Sequence, residues 1–199
     1  MTFTSHILQR DRSETVLLIH GMFTNAGFWL PALRFFPRHR LVLLNVDYIQ
    51  YFTLANGISA LSDFLHCPRL GLGDQVQIIG HSYGSVLAAS VMYPATQRYL
   101  LCPVFLAESV DLSGFSTALA SKDSGKTTES GSVQLLLEQA LSEARKVDKA
   151  LIAARGDLCL IPDSDIFFQY RNLLTSGACY SYPGDHFEVL NPVSQFFVN

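Results

Sequence analysis

Val76-Gln77-Ile78-Ile79-Gly80-His81-Ser82-Tyr83-Gly84-Ser85-Val86-Leu87-Ala88-Ala89 changes character once, at the serine. The residues before it are apolar and β-branched, as in a buried strand. From Ser85 to Met92 the sequence reads as a helix, which Pro94 ends. A Gly-x-Ser-x-Gly pentapeptide between a strand and a helix is the turn known as a nucleophile elbow. Its glycines have a steric task. The turn holds the central residue in a strained backbone conformation, and side chains at the flanking positions would collide with the neighbouring strand and helix. The serine oxygen is lifted clear of the sheet beside the first amides of a helix, where developing negative charge is favoured.

Outward from this stretch, the bulk composition sets bounds. The chain has 199 residues, 49% hydrophobic and 16% charged, which suits one domain over 1–199 with a sizeable core. The net charge is −3, and the absence of a basic patch argues against a nucleic-acid partner. Residues 1–11 lack a basic head followed by an apolar run, and no apolar stretch approaches the ~18 residues of a membrane span. Cys67, Cys102, Cys159 and Cys179 are scattered without C-x-x-C spacing, which reads as buried thiols in a reducing cytoplasm. No Cys, His and carboxylate cluster has metal-ligand spacing, and no cofactor is expected. Ser124-Gly125-Lys126-Thr127 imitates a phosphate loop, but Ala120 stands where its first glycine belongs, and no buried strand leads into it.

Apolar runs at Thr15–Ile19, Arg40–Val46, Val76–Ile79, Leu100–Ala107, Lys149–Ala154 and Ala178–Tyr182 read as strands, with Phe3–Gln9 a first one. Helical patterns fall over Ala26–Phe36, Thr53–His66, Val133–Lys146, Asp163–Leu174 and the C-terminus. The polar, aperiodic stretch Ser121–Ser132 reads as a mobile loop. Alternating strands and helices imply an α/β fold: a mostly parallel sheet of about seven strands, with helices on both faces. Ligands of such sheets bind at the carboxyl ends of the strands. His20, Ser82, Glu108, Asp157 and His186 all lie just past expected strand ends.

A serine hydroxyl needs a base, and the base an orienting acid. Leu18-Ile19-His20-Gly21-Met22-Phe23, the elbow, Arg155-Gly156-Asp157 with Ile161-Pro162, and Gly184-Asp185-His186-Phe187 together make the chain resemble a small α/β-hydrolase. The resemblance implies the chain order nucleophile, acid, base, which Ser82, Asp157 and His186 satisfy. It implies a structural role for His20, which shapes the oxyanion loop, and points His81 away from the serine's cleft. It places the oxyanion donors at the backbone amides of Met22 and Tyr83, and a short cap at about 112–147. The acid stays open: Asp157 follows Gly156 without the family's usual spacing. Asp163 and Asp165 lie nearby and look like a helix cap, and Glu108 and Asp111 follow the preceding strand.

Phe23, Phe28, Trp29, Phe115 and Phe187 flank the expected rim and suggest an apolar acyl pocket. The expected activity is hydrolysis of a carboxylic ester or thioester of an apolar acyl group through an acyl-enzyme on Ser82. Acyl transfer, cyclisation, C–C cleavage and non-catalytic ligand binding are the alternatives. Pro183–Phe187 resembles the histidine loop of thioesterase domains, which implies a small acyl substrate, medium-chain or aromatic, on a carrier or CoA. The protein is expected to be a cytoplasmic monomer or small homo-oligomer, with Ser113–Ser132 a mobile lid.

Overall fold

Thr4–Leu8 (β1), Thr15–Ile19 (β2), Arg40–Asn45 (β3), Val76–His81 (β4) and Gln97–Leu101 (β5) open the main sheet. A two-residue strand, Ser109–Val110 (β6), follows. The sheet resumes with Leu158–Pro162 (β7) and, after Phe168–Gln169 (β8), ends with Cys179–Tyr182 (β9). The structure is a computed structural model and describes residues 3–48, 53–122, 130–170 and 179–197. The seven-stranded order is β1-β3-β2-β4-β5-β7-β9, with only β1 antiparallel, while β6 and β8 form a separate antiparallel ribbon.

Every position of β2 is buried, as expected of a strand covered on both faces. It is flanked by β3 on one side and β4 on the other, in parallel register, with Ile19 opposite Gly80. Connections therefore leave β2 and β4 in opposite directions, and a crevice opens at their carboxyl ends. Side chains alternate across the sheet. Leu17, Ile19, Ile78 and Leu100 enter one core layer with Leu54–Leu65 (α1) and Tyr83–Ser90 (α2). Val16, Leu18, Ile79 and Leu101 enter the other with the 3-10 helix Ala26–Phe35.

Leu112–Lys122 (α3) and Ser130–Ala144 (α4) occupy the expected cap position and pack on each other. The polar stretch expected as a loop is helical at both of its described ends, and 123–129 lie outside the described residues. α4 buries Val133, Leu137, Ala140 and Ala144 in the same core layer as α2. Glu143 near its end accepts the Leu54 N–H at 2.9 Å, which satisfies a free donor at the start of α1.

Three expected elements differ. Lys149–Arg155 is a helix (α5), not a strand. Asp148 accepts the Ala150 and Leu151 N–H groups at its start, and Gly156 closes it in a left-handed conformation, φ +67°. The expected helix Asp163–Leu174 is, as far as it is described, a loop and β8. The strand expected over Leu100–Ala107 runs instead over Gln97–Leu101 and gives way to a 3-10 turn at Val104–Leu106. The last helix, Leu190–Phe197 (α6), covers the layer beneath the 3-10 helix. Asp148→Ala and Gly156→Ala should each cost about 1 kcal/mol, measured as a lower urea midpoint with unchanged m. An unmoved midpoint in both would show that these caps do not hold α5.

Candidate active site

At the end of β4, Ser82 adopts φ +54°, ψ −119°, a strained conformation for a residue with a side chain. The glycines around it permit this. A Cβ on Gly84 would sit 2.5 Å from the carbonyl oxygens of Ile19 and His20, and one on Gly80 would strike the Gly84 carbonyl. The first turn of α2 therefore rests directly on the end of β2.

His186 follows β9 and completes the approach. Its Nε2 lies 2.9 Å from Ser82 Oγ, and its Nδ1 lies 2.9 Å from Asp165 Oδ2. The side chains of His186 and Asp165 are each 1% exposed. The Asp165 contact sets the tautomer: Nδ1–H donates to the carboxylate, leaving Nε2 to accept the Ser82 hydroxyl proton. Asp165 is itself oriented, because its Oδ1 accepts the Phe167 and Phe168 N–H groups at 3.0 Å. Neighbouring residues lace this loop to the histidine loop. Asp163 Oδ1 accepts the Gly184 N–H at 3.1 Å, and Ser164 Oγ donates to the Gly184 carbonyl at 2.5 Å. Phe168 stacks on the His186 ring, with centroids 4.4 Å apart and planes 20° apart.

Asp157, expected as the acid, does not take part. With 149–155 helical, it precedes β7 and sits at the amino end of the strand, whereas Asp165 follows the carboxyl end. There it is buried against Arg155 at 2.5 Å and Arg98 at 4.0 Å. These arginines hold the other end of α2. Arg98 Nε donates to the Ala88 carbonyl and its Nη2 to the Tyr93 carbonyl, and Arg155 Nη2 donates to Ala89. Two cations thus satisfy the carboxyl-terminal carbonyls of α2, where the helix dipole favours positive charge. Burial pushes the Asp157 carboxyl up from its usual range, with Arg155 and Arg98 opposing.

His81 and His20 brace the site. His81 Nε2–H donates to the His186 carbonyl at 2.6 Å, so the elbow strand also holds the histidine loop. Its buried Nδ1 has no hydrogen-bond partner among the described residues. Burial, reinforced by the neighbouring His186, lowers its pKa to about 3. His20 accepts the Val46 N–H at Nε2 and donates from Nδ1 to the Gly21 carbonyl, while Tyr48 donates to the His20 carbonyl. Burial lowers its pKa as well.

Beside Ser82 lies a cavity of about 20 Å³, lined in part by Met22, Tyr83 and Val104. Phe115 of α3, Leu137, Ala140 and Leu141 of α4, and Phe168 cover it. Of the aromatic residues expected at the pocket, Phe115 lines it and Phe187 stacks parallel on Phe115 at 6.0 Å. Phe23 packs against the core layer of α2 with φ +63°. Phe28 and Trp29 belong to the opposite layer, where Phe28 packs on the His81 ring and Trp29 is fully buried. These two support the elbow from beneath and do not face the cavity. Leu137, Ala140, Leu141 and Phe168 carry no motif; only the helical spacing of the first three marked them, as core.

Residues 16–183 match the model of the alpha/beta hydrolase family, and the chain belongs to that family. Among curated proteins it is similar to (E)-2-((N-methylformamido)methylene)succinate hydrolase of Acinetobacter baylyi, 28% identical over 96 residues. That match covers 44% of this chain and only 35% of the relative's length. A lipase-esterase related protein of Clostridium acetobutylicum superposes with a TM-score of 0.70 at 11% identity, over 97% of this chain and 96% of its own. The NocB thioesterase domain superposes at 0.61 and 12% identity, over 92% and 89% respectively. At these identities the superpositions show the shared fold. None of the four cysteines is in a disulfide, and among the described residues no helix is long and apolar enough to cross a membrane.

Two outcomes follow from this arrangement. Asp157→Asn should lower the urea midpoint while leaving kcat within a few fold of wild type; a loss of kcat near that of Asp165→Asn would return Asp157 to the site. His81, neutral when folded, binds a proton in the unfolded chain below pH 6.5. Its contribution to stability is therefore whole above 6.5 and falls toward pH 3, by about 1.4 kcal/mol per pH unit. Unfolding free energies of wild type and His81→Gln between pH 7 and 4 should converge at that rate as the pH falls; parallel curves would contradict a buried neutral His81.

Proposed function

We propose that this chain is a serine hydrolase acting on carboxylic esters or thioesters with an apolar acyl group. One observation carries the reading: an unbroken hydrogen-bonded series from Ser82 through His186 to Asp165, opening on an apolar cavity. In this mechanism Ser82 Oγ attacks the acyl carbon while His186 Nε2 takes its proton. Asp165 stabilises the imidazolium that results, and His186 then protonates the leaving group. Water repeats the cycle on the acyl-enzyme, with His186 again the base.

The developing oxyanion would be met by the backbone N–H groups of Tyr83 and Met22. Tyr83 begins a helix, where N–H groups lack intrahelical acceptors, and Met22 follows the loop that His20 braces. Phe115 at the cavity, with Phe187 stacked behind it, would bind the acyl group, and Phe23 stands at the loop of Met22. A thiolate leaves more readily than an alkoxide, so a carrier- or CoA-linked thioester would ask less of His186 as an acid. The α3–α4 segment is the roof of this site, within a single domain.

Ser82→Ala should abolish turnover and labelling by a fluorophosphonate while leaving the fold intact. Asp165→Asn should lower kcat by roughly 10³- to 10⁴-fold, since an amide cannot hold the productive imidazole tautomer. Labelling that persists in Ser82→Ala would overturn the nucleophile. Full activity in Asp165→Asn would overturn the acid.

A further inference from the structure

We infer that the site selects short acyl groups, of acetyl to propionyl size, because α4 forms a fixed wall across the acyl cavity. This deepens the hydrolase reading and rests on it. The cavity at Ser82 measures about 20 Å³. So small a space does not receive a long acyl chain unless its lining is displaced. A medium-chain or aromatic acyl group, as the sequence suggests, would have to displace the wall.

The wall is not built to move. A hinged lid would lie on the body by a limited contact and return its apolar face to the cavity alone. α4 instead sends Val133, Leu137, Ala140 and Ala144 into the core layer of β2, β4 and α2. It packs on α2, α3 and the 3-10 turn Val104–Leu106. Its far end is tied by Glu143 to the first N–H of α1, and Val147 beyond it is buried. Moving Leu137 away from Ser82 would open this layer, and close-packed cores resist such displacement. Phe115, which also lines the cavity, packs edge-on against Phe167, Phe168 and His186 and parallel to Phe187. The side chains of Leu137 and Leu141 therefore set the length of acyl chain that reaches the Ser82 oxygen, and Ala140 leaves the space between them.

The test is kcat/KM for p-nitrophenyl acetate, butyrate and octanoate, together with the rate at which methyl- and octyl-fluorophosphonates label Ser82. Wild type should favour acetate over octanoate, and the methyl over the octyl reagent, by at least tenfold. Leu141→Ala, at a half-buried position that tolerates truncation better than Leu137, should reduce that preference tenfold or reverse it. Ala140→Leu should depress acetate turnover and methyl labelling together. A wild type that takes octanoate as well as acetate, or a preference unmoved by Leu141→Ala, overturns this inference and leaves the hydrolase reading standing. A Ser82 inert to every ester and to both phosphonates overturns the hydrolase reading, and this one with it.

Discussion

The close approach of α2 to the end of β2 is the constraint on which the site depends. Gly84 lies against the carbonyls of Ile19 and His20 with no room for a Cβ. That contact fixes the first turn of α2 and, with it, the strained backbone of Ser82, whose conformation costs on the order of 1–3 kcal/mol. The two ends of the short helix are then secured independently. Its amino end sits on β2, and its carboxyl end is held by Arg98 and Arg155 through the carbonyls of Ala88, Ala89 and Tyr93. A buried carboxylate, Asp157, balances the two arginines.

The same strand end also places His186. His81 points to the far side of the elbow, where Phe28 and Trp29 support its ring, and from there it holds the main chain of His186. Ser82 and His186 are thus both referred to the end of β4. The loop of Asp165 is referred to that of His186 by a second set of bonds, between Asp163 and Ser164 and Gly184. The β6–β8 ribbon then ties the acid loop to the segment that follows β5. His186 and Asp165 are each oriented by hydrogen bonds that involve the main chain, so the alignment is in place before any substrate arrives.

Much of this was legible in the sequence, for identifiable reasons. The elbow is legible because its glycines answer a steric demand that no other residue meets, and His186 because it follows the last strand of a recognisable order. The aspartate that meets His186 is misread through one local feature. Lys149–Ala154 is apolar enough to read as a buried strand, although Asp148 and Gly156 are the start and stop signals of a helix. Reading it as a strand shifts the carboxyl end of the sheet by half a unit and brings Asp157 to the rim in place of Asp165. The segment Asp163-Ser164-Asp165 resembles a helix cap because its two aspartates do accept main-chain N–H groups, but they do so to brace a loop. The helix α4 is legible from its apolar spacing, but its place at the cavity, like that of Phe168, is not. Their roles arise from packing between segments distant in the chain, and nothing local distinguishes Leu137 from an ordinary core leucine.

The central claim is that Asp165, not Asp157, orients the histidine beside Ser82. Proton NMR of the strongly hydrogen-bonded imidazole N–H tests it without recourse to substrate. A downfield resonance from His186 Nδ1–H should be present in wild type, persist in Asp157→Asn and vanish in Asp165→Asn. Its survival in Asp165→Asn, or its loss in a folded Asp157→Asn, would contradict the account.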